Sequence, residues 1–219
     1  YSFTGGVDVE TVLHHLGEHL GDISQLLFFL LGAMTIVELV SLHNGFKVVT
    51  DAIQTTNKRT LLWMIGFITF FLSSVLDNMT TAIVITSLLA KILEDRKDRM
   101  VFASVVIIAA NAGGAWTPIG DVTTTMLWIG GQITTVNIMK MVFFPSIVCL
   151  VIPLIYQSFF IKGTFAAVKN VDSKTEPGAK LLFYLGVGAL IFVPVFKSVT
   201  HFPPYLGMLF GVGILWLVT

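Results

Sequence analysis

Long hydrophobic runs, separated by short polar stretches, make up most of the sequence. The run from Ile23 to Val40 reads ISQLLFFLLGAMTIVELV, and with its flanks it predicts a transmembrane helix over residues 23–42. About 20 helical residues span a hydrocarbon core of roughly 30 Å, so this length fits one crossing. A polar segment, residues 1–22, precedes it. Residues 141–219 predict further transmembrane helices, in the runs Met141–Ile161, Leu181–Phe196 and Tyr205–Thr219.

The run from Thr60 to Leu93 is too long for a single crossing. Its 34 residues would form a helix of about 51 Å. Asp77 and Asn78 lie near its middle, where a polar pair would otherwise sit in hydrocarbon. We therefore interpret residues 60–93 as a re-entrant hairpin, with two helical arms and a polar tip at 77–78. Such a hairpin enters and leaves the membrane by the same face.

Residues 100–131 predict a broken transmembrane helix. The stretch VFASVVIIAA has ten residues, which reach about 15 Å and so only half way across. The following NAGGAWTP is not expected to continue as regular helix, because Pro118 lacks an N–H group and the glycines favour other backbone shapes. A second half-helix is expected to resume near Asp121.

The composition places these helices in a membrane. Of 219 residues, 55% are hydrophobic and 12% are charged, whereas about a quarter of a soluble domain is charged. The sequence therefore predicts an all-α integral membrane protein. A net charge of zero gives no indication of a nucleic-acid partner. The last apolar run stops without a polar flank, so we expect the chain to be incomplete, a piece of a longer protein.

The single cysteine and a group of histidines have plain interpretations. Cys149, inside an apolar run, cannot form an intrachain disulfide and is predicted to be a small core residue. His14, His15 and His19 resemble metal ligands in type, but we interpret them as residues along a short surface helix.

The distribution of basic residues supports the hairpin. If residues 60–93 form a hairpin, eleven of the 13 Lys and Arg residues fall on one side; if they cross once, only eight do. Cytoplasmic loops collect Lys and Arg, so that side is predicted to be cytoplasmic and residues 1–22 extracytoplasmic. The eleven are Lys47, Lys58, Arg59, Lys91, Arg96, Lys97, Arg99, Lys162, Lys169, Lys174 and Lys180, with Lys140 and Lys197 opposite.

Only three of the 13 acidic residues, Glu38, Asp77 and Asp121, lie within apolar segments. A charge at the bilayer centre costs from about 3 to more than 10 kcal/mol, so such residues usually face a cavity or serve transport. Asp77 and Asp121 each begin the pattern D-x-x-T-T, in which the aspartate can cap a new helix. The alternative is that both aspartates are merely caps. Glu38, near the end of its helix, is open between a functional and an interfacial role.

Other polar residues near the breaks have less specific interpretations. Asn111, expected where the first half-helix ends, either binds an ion or satisfies loop backbone. Ser73 and Ser74 are expected to bond to their own helix backbone. The tryptophans of these runs are expected to be packing or interface residues: Trp63, Trp116 and Trp128.

Carboxylates at helix breaks suit cation exchange. Carboxylate, amide, hydroxyl and carbonyl oxygens are ligands that sodium accepts, and half-helix ends bring backbone groups to the middle of the membrane. In a low-dielectric cavity, a carboxylate binds a proton that a cation can displace. Competition between Na⁺ and H⁺ for one site is the minimal chemistry of an antiporter.

The stretches FFLSSVLDNMTTAIV and VVIIAANAGGAWTPIGDVTTTMLW resemble the NhaD-type sodium/proton antiporters of the ion transporter superfamily. The resemblance implies two inverted repeats, each with a re-entrant hairpin and a broken helix, which move as an elevator against a scaffold. This chain contains one hairpin and one broken helix, so it corresponds to one repeat, the N-terminal half. The second repeat would supply the other half of the site.

The resemblance also implies the ion-binding residues. Asp77 and Asp121 would exchange Na⁺ and H⁺, and the threonines after Asp121 would complete the coordination. Glu38 is a candidate accessory residue only because it is an acidic residue in an apolar segment, and not because of the resemblance. The matching positions are Asp77, Asn78, Thr80, Asn111, Asp121, Thr123 and Thr124. No cofactor is expected; Na⁺ or Li⁺ and H⁺ are the transported ions. The expected partners are membrane lipid, the missing C-terminal repeat and, as an open alternative, a second copy in a homodimer.

The sequence therefore predicts a secondary transporter that exchanges Na⁺ or Li⁺ for H⁺, and not an enzyme. One alternative is an oxyanion or dicarboxylate transporter of the same superfamily, which would use the half-helix N-termini for its substrate. Another is a membrane scaffold subunit without transport. A bacterial inner membrane and a chloroplast envelope both remain open as locations.

Overall fold

A computed structural model describes residues 9–48, 55–93, 95–164 and 178–219. Residues 1–8 of the predicted N-terminal segment, and Lys169 and Lys174, lie outside the described residues. The described helices are α1 (Val9–Leu42), α2 (Lys58–Ser73), α3 (Asn78–Ile92), α4 (Arg96–Ala115), α5 (Val122–Ile129), α6 (Thr135–Phe160), α7 (Ala179–Thr200) and α8 (Pro204–Val218). Four of them, α1, α4, α6 and α7, are long and apolar enough to cross a membrane. This confirms an all-α integral membrane protein.

The first helix begins earlier than its hydrophobic run. α1 starts at Val9 and continues without interruption to Leu42, so residues 9–22 and the predicted helix 23–42 form one helix of 34 residues. A change from polar to apolar side chains does not by itself end a helix, so the hydrogen-bond ladder continues through Ile23. His14 and His15 lie on this first part of the helix, where both side chains are exposed beside Glu18.

The chain between α1 and α4 folds into a helical hairpin. α2 and α3 have 16 and 15 residues, about 24 and 22 Å, so neither spans the hydrocarbon alone. Ser73 Oγ, at the end of α2, donates to Ala110 O near the end of α4. α3 begins beside that point and ends a few residues before α4 begins. Both arms therefore lie along α4 with the interruption, residues 74–77, at its far end. Entry and exit by one membrane face stays a prediction.

Polar contacts hold the base of the hairpin. Lys58 Nζ and Asp98 Oδ2, 2.5 Å apart, join the starts of α2 and α4, and both side chains are largely buried. Trp63 Nε1 donates to Ser158 Oγ on α6 at 2.8 Å. A backbone bridge between Asn57 and Thr164 ties the start of α2 to the chain after α6. We call this end of the hairpin its base and residues 74–77 its tip.

Basic residues gather at the same end of the helices. α2 and α4 begin there, α6 ends there, and α7 begins beside the end of α1, where a Cβ on Gly45 would lie 3.4 Å from Ala179 O. The basic residues at these helix ends include Lys58, Arg59, Arg96, Lys97, Arg99 and Lys180. The hydrogen bond between Lys197 and Trp128 puts the end of α7 beside α5, at the opposite end. The re-entrant hairpin that the charge count favoured and the assignment of the basic end to the cytoplasm both stay predictions.

The expectation that the helix ends before Asn111 is wrong. α4 runs for 20 residues, from Arg96 through Asn111 to Ala115, about 30 Å of regular helix. The interruption is confined to residues 116–121, around Pro118. Consecutive glycines do not end this helix, because packing against the hairpin favours the small residues there.

Close packing explains two of the glycines. A Cβ built on Gly113 would lie 2.1 Å from Phe70 O, and one on Gly120 would lie 2.5 Å from Ser73 O. Both contacts join the end of α2 to α4 and to the loop after it. A side chain at either position would push the tip of the hairpin away from α4.

Buried apolar residues in the described part of the chain form two core clusters. The first joins α2, α3, α4 and α6, and the second joins α1, α7 and α8. Trp128 of α5 and Leu76 of the hairpin tip belong to the second cluster, so α5 and the tip lie where the clusters meet. The expectation that Cys149 is a core residue is wrong: it is exposed on α6, on a face suited to lipid.

We expect Gly113→Ala to destabilise the protein by about 1–3 kcal/mol, because its methyl group meets fixed backbone at Phe70 O. The measurement is unfolding of the full-length protein in mixed micelles by titration with SDS. The matched control is Gly213→Ala in α8, where an added Cβ would have no heavy atom within 4 Å. Equal stability of the two variants would contradict the packing described for Gly113.

Candidate ion-binding site

Each aspartate of the repeated pattern caps a helix. Asp77 is the N-cap of α3, and its Oδ1 accepts a hydrogen bond from Thr80 N at 2.8 Å. Asp121 is the N-cap of α5, and its Oδ1 accepts from Thr123 N at 2.7 Å. Both aspartates therefore satisfy orphan N–H groups of a first helical turn, as a neutral cap could also do.

One side chain links the two interruptions. Asn78, the first residue of α3, uses its side-chain amide to donate to Asp121 Oδ2 at 2.5 Å and to Asn111 Oδ1 at 3.1 Å. These two hydrogen bonds join the start of α3, next to the hairpin tip, to α4 and to α5. It also brings the carboxylate of Asp121 next to the residue that follows Asp77. The structure thus gathers Asp77, Asn78, Asn111 and Asp121 at one place; we call these four the amide–carboxylate cluster.

The amide orientations within the cluster agree with one another. An ionised carboxylate accepts hydrogen bonds only, so Asn78 must turn its NH₂ group towards Asp121. Asn111 Nδ2 donates to Ile107 O at 2.8 Å, which leaves Asn111 Oδ1 to face Asn78. Each of these bonds therefore pairs a donor with an acceptor. The sequence predicts that Asn111 lies where the half-helix ends. Because α4 continues past it, Asn111 reaches the cluster from the side of a helix.

The two carboxylates are engaged to different degrees. Asp121 Oδ1 accepts from both the N–H and the hydroxyl of Thr123, at 2.7 and 2.5 Å, while Oδ2 accepts from Asn78. Within the described residues, Asp77 has one such contact, and its Oδ2 accepts none. Asn78 Oδ1 is likewise without a donor there. These two oxygens are the free ligand atoms of the cluster, and Asp77 and Asn78 are both half-buried.

The remaining predicted residues have separate positions. Thr124 donates its hydroxyl to Asp121 O at 2.9 Å, so it completes the first turn of α5. Thr80 contributes its N–H group to the cap on Asp77, with a half-buried side chain. Glu38 is exposed on α1, and no hydrogen bond or ion pair in the described part of the chain joins it to the cluster. The structure does not bring Glu38 to the site.

Hydroxyl groups hold the tip against the loop after α4. Thr117 Oγ1 donates to Ser74 O at 2.6 Å, and Thr125 Oγ1 donates to Pro118 O at 3.0 Å. The expectation for Ser74 is confirmed, since its hydroxyl bonds to Phe71 O in its own helix. For Ser73 it is wrong: the buried hydroxyl bonds across to Ala110 of α4, because the glycines bring the two backbones close enough.

The tryptophans pack as predicted, and one of them leads to a residue that the sequence did not single out. Trp116 stacks on Phe70, with ring centroids 6.1 Å apart. Trp128 is 2% exposed, and its carbonyl accepts a hydrogen bond from Lys197 Nζ at 2.5 Å. Lys197 had been counted as a loop charge beyond Phe196, but α7 continues to Thr200. The sequence signal that could have identified Lys197 is a basic residue at the edge of an apolar run.

The cluster can bind a cation in chemical terms. It combines two carboxylates, two amide groups and nearby hydroxyls at the N-termini of α3 and α5. The two helix ends contribute about half a positive charge each, so two ionised aspartates leave the site negative. A negative, oxygen-rich site in an apolar bundle attracts small cations and protons and repels anions.

Comparison with protein families identifies relatives of the chain. A family model described as Citrate transporter matches residues 2–217. Sodium/proton antiporter 1 of Arabidopsis thaliana is 52% identical over 219 residues, which cover 98% of this chain and 38% of that protein. Sodium/proton antiporter 2 of the same plant is 49% identical over 217 residues, covering 96% of this chain and 52% of that protein.

A bacterial protein shows the same relation at lower identity. The Na(+)/H(+) antiporter NhaD of Alkalimonas amylolytica is 33% identical over 204 residues, covering 90% of this chain and 41% of that protein. The chain therefore spans about half, or less, of the length of these curated relatives. No solved structure matches it.

We expect Ser73→Ala to lower the free energy of unfolding by about 1 kcal/mol, because it removes a buried hydrogen bond between the hairpin and α4. Ser74→Ala is the matched control, since its hydroxyl bonds within its own helix. SDS titration of the full-length protein measures both. An effect of Ser74→Ala as large as that of Ser73→Ala would contradict the assigned role.

Proposed function

Because the chain belongs to the citrate transporter family, we propose that it forms part of a secondary transporter that exchanges Na⁺ or Li⁺ for H⁺. The observation that carries the proposal is the hydrogen bond from Asn78 to Asp121, which joins the residue after one helix-capping aspartate to the carboxylate of the other. Relatives named sodium/proton antiporters, from a plant and a bacterium, support the choice of ions.

The proposed exchange uses competition for carboxylate oxygens. Na⁺ binds at Asp77 Oδ2 and Asn78 Oδ1, the free ligand atoms, while the carboxylate of Asp121 accepts a hydrogen bond from the Asn78 NH₂ group and adds negative charge to the site. Asn111 holds the amide of Asn78 in place, and the hydroxyl of Thr123 holds Asp121. A proton on either aspartate removes the charge that attracts Na⁺, so the two ions occupy the site in alternation. Thr80 and Thr124 stabilise the helix ends that carry the aspartates.

An anion substrate is the second candidate, since the matching family model is described as Citrate transporter. The N-termini of α3 and α5 would favour a carboxylate group. Against it stand Asp77 and Asp121, whose charges would repel citrate at the same helix ends. The charge of the site therefore favours the cation.

We expect Asp77→Asn and Asp121→Asn each to reduce Na⁺-dependent proton release by at least about tenfold, because each removes a ligand charge. The measurement uses inverted vesicles that contain the full-length protein and hold an acid interior. A pH-sensitive dye follows the gradient after addition of Na⁺, Li⁺, K⁺ or citrate.

Asp95→Asn is the matched control for this assay. Asp95 caps α4 by accepting from Lys97 N at 2.9 Å, as the site aspartates cap their helices, but it is exposed at the basic end. It should retain wild-type exchange. Dissipation of the gradient by citrate and not by Na⁺ would favour the anion transporter. Unchanged exchange in both site variants would contradict the mechanism.

We also expect Na⁺ to raise the thermal unfolding midpoint of the purified full-length protein. A ligand at about 100 times its dissociation constant stabilises the native state by about 2.7 kcal/mol. Choline chloride at equal ionic strength controls for salt effects. Asp121→Asn should remove the Na⁺-dependent increase, and Asp95→Asn should keep it. A Na⁺-dependent increase that survives in both Asp77→Asn and Asp121→Asn would place the ion elsewhere.

A further inference from the structure

We propose that Lys197 is a positioning residue for the ion-binding site, acting through α5 on Asp121. The inference rests on the proposed function for its consequence on sodium affinity. Lys197 lies in the last turn of α7, outside the amide–carboxylate cluster. It reaches α5 through two contacts with a single residue, Trp128.

The first observation is how Lys197 is held. Its Nζ donates to Trp128 O at 2.5 Å and stands 4.1 Å from the centroid of the Trp128 ring. The side chain is half-buried within a helix long and apolar enough to span a membrane. A charge in such a place is costly unless it is partnered. The carbonyl and the ring face together supply that partner.

The second observation is which end of α5 the lysine meets. Trp128 is the penultimate residue of α5, and its carbonyl accepts from Gly131 N, just beyond the helix, at 3.3 Å as well as from Lys197. The last carbonyls of a helix have no partner within it. They also carry the negative end of the helix dipole, so a cation there is stabilising. Trp128 Nε1 in turn donates to Thr135 Oγ1 at 3.0 Å, which fixes the ring under the ammonium group.

The third observation is the length of α5. It has eight residues, about 12 Å, and isolated helices shorter than about 12 residues are marginal. Its position therefore depends on the packing of Trp128 in the second core cluster and on how its two ends are held. Asp121 caps one end and bonds to the hairpin through Asn78, while Lys197 holds the other end to α7. Within α5, Asp121 O accepts from Thr125 N at 2.9 Å, so the cap moves with the helix.

Through these contacts, Lys197 holds the end of α5 against α7. Without it, the end of α5 loses its polar tie to α7, and Asp121 can shift relative to Asn78. Ligands misplaced by a loosened surrounding shell typically lose about 10–100-fold in metal affinity. Arginine keeps the positive charge, the donors and the attraction to an aromatic ring.

The test compares Lys197→Met and Lys197→Arg in the full-length protein. In inverted vesicles, Lys197→Met should raise the Na⁺ concentration for half-maximal exchange by about tenfold, with a smaller change in maximal rate. Lys197→Arg should restore most of the affinity. The matched control is Lys180→Met, an exposed lysine at the other end of α7, which should leave the half-maximal concentration unchanged.

A second measurement does not depend on transport. Backbone hydrogen exchange of residues 122–129, followed by mass spectrometry, should be faster in Lys197→Met than in wild type and unchanged in Lys180→Met. If residues 122–129 exchange their backbone hydrogens at the same rate in Lys197→Met and in wild type, the positioning role is wrong. So would a loss of rate and stability with unchanged Na⁺ half-saturation, since that describes a purely structural residue.

The two proposals fail in different ways. A wild-type protein that exchanges no Na⁺ would overturn the proposed function, and with it the effect on sodium affinity assigned to Lys197. The hydrogen exchange of α5 would still decide whether Lys197 holds that helix.

Discussion

Every backbone group released where a helix stops inside an apolar bundle needs a partner from the protein, because hydrocarbon offers none. The described structure meets this requirement at both interruptions with side chains. Asp77 and Asp121 cap the N-termini that follow the breaks, and Thr117 and Thr125 donate to carbonyls that the breaks leave open. Asp77 and Asp121 therefore serve the fold as helix caps and also belong to the candidate site.

The sequence predicted the parts that depend on charge and length. Asp77 and Asp121 stood out because a carboxylate is rare in an apolar run, and the length of residues 60–93 required an interruption. The all-α membrane class followed from composition. Asn78 and Asn111 were named as site residues, but their shared hydrogen bond joins positions 33 residues apart and depends on how α3 packs against α4.

The parts that the sequence did not predict depend on packing. The glycines after Asn111 predict a helix break, yet Gly113 lies inside α4, where the backbone of Phe70 occupies the space that a side chain would need. The same close approach of α2 and α4 lets the hydroxyl of Ser73 donate to Ala110 O and not to its own helix. Lys197 looked like a loop charge, since nothing local shows that α7 continues to Thr200 or that α5 ends beside it. Cys149 was expected in a core, but a helix of a membrane protein can present apolar residues to lipid.

The hairpin is fixed unequally along its length. Its base is tied by the Lys58–Asp98 ion pair, the Trp63–Ser158 hydrogen bond and the backbone bridge at Asn57, and its arms share an apolar core with α4. Its tip is held by hydrogen bonds, each worth about 1 kcal/mol, and by Leu76, which packs in the second core cluster. The two ends of the hairpin are therefore held differently: an ion pair and a backbone bridge fix the base, and weaker contacts hold the tip. A hairpin that bends about its base moves its tip furthest, and Asp77 and Asn78, which belong to the candidate site, move with the tip.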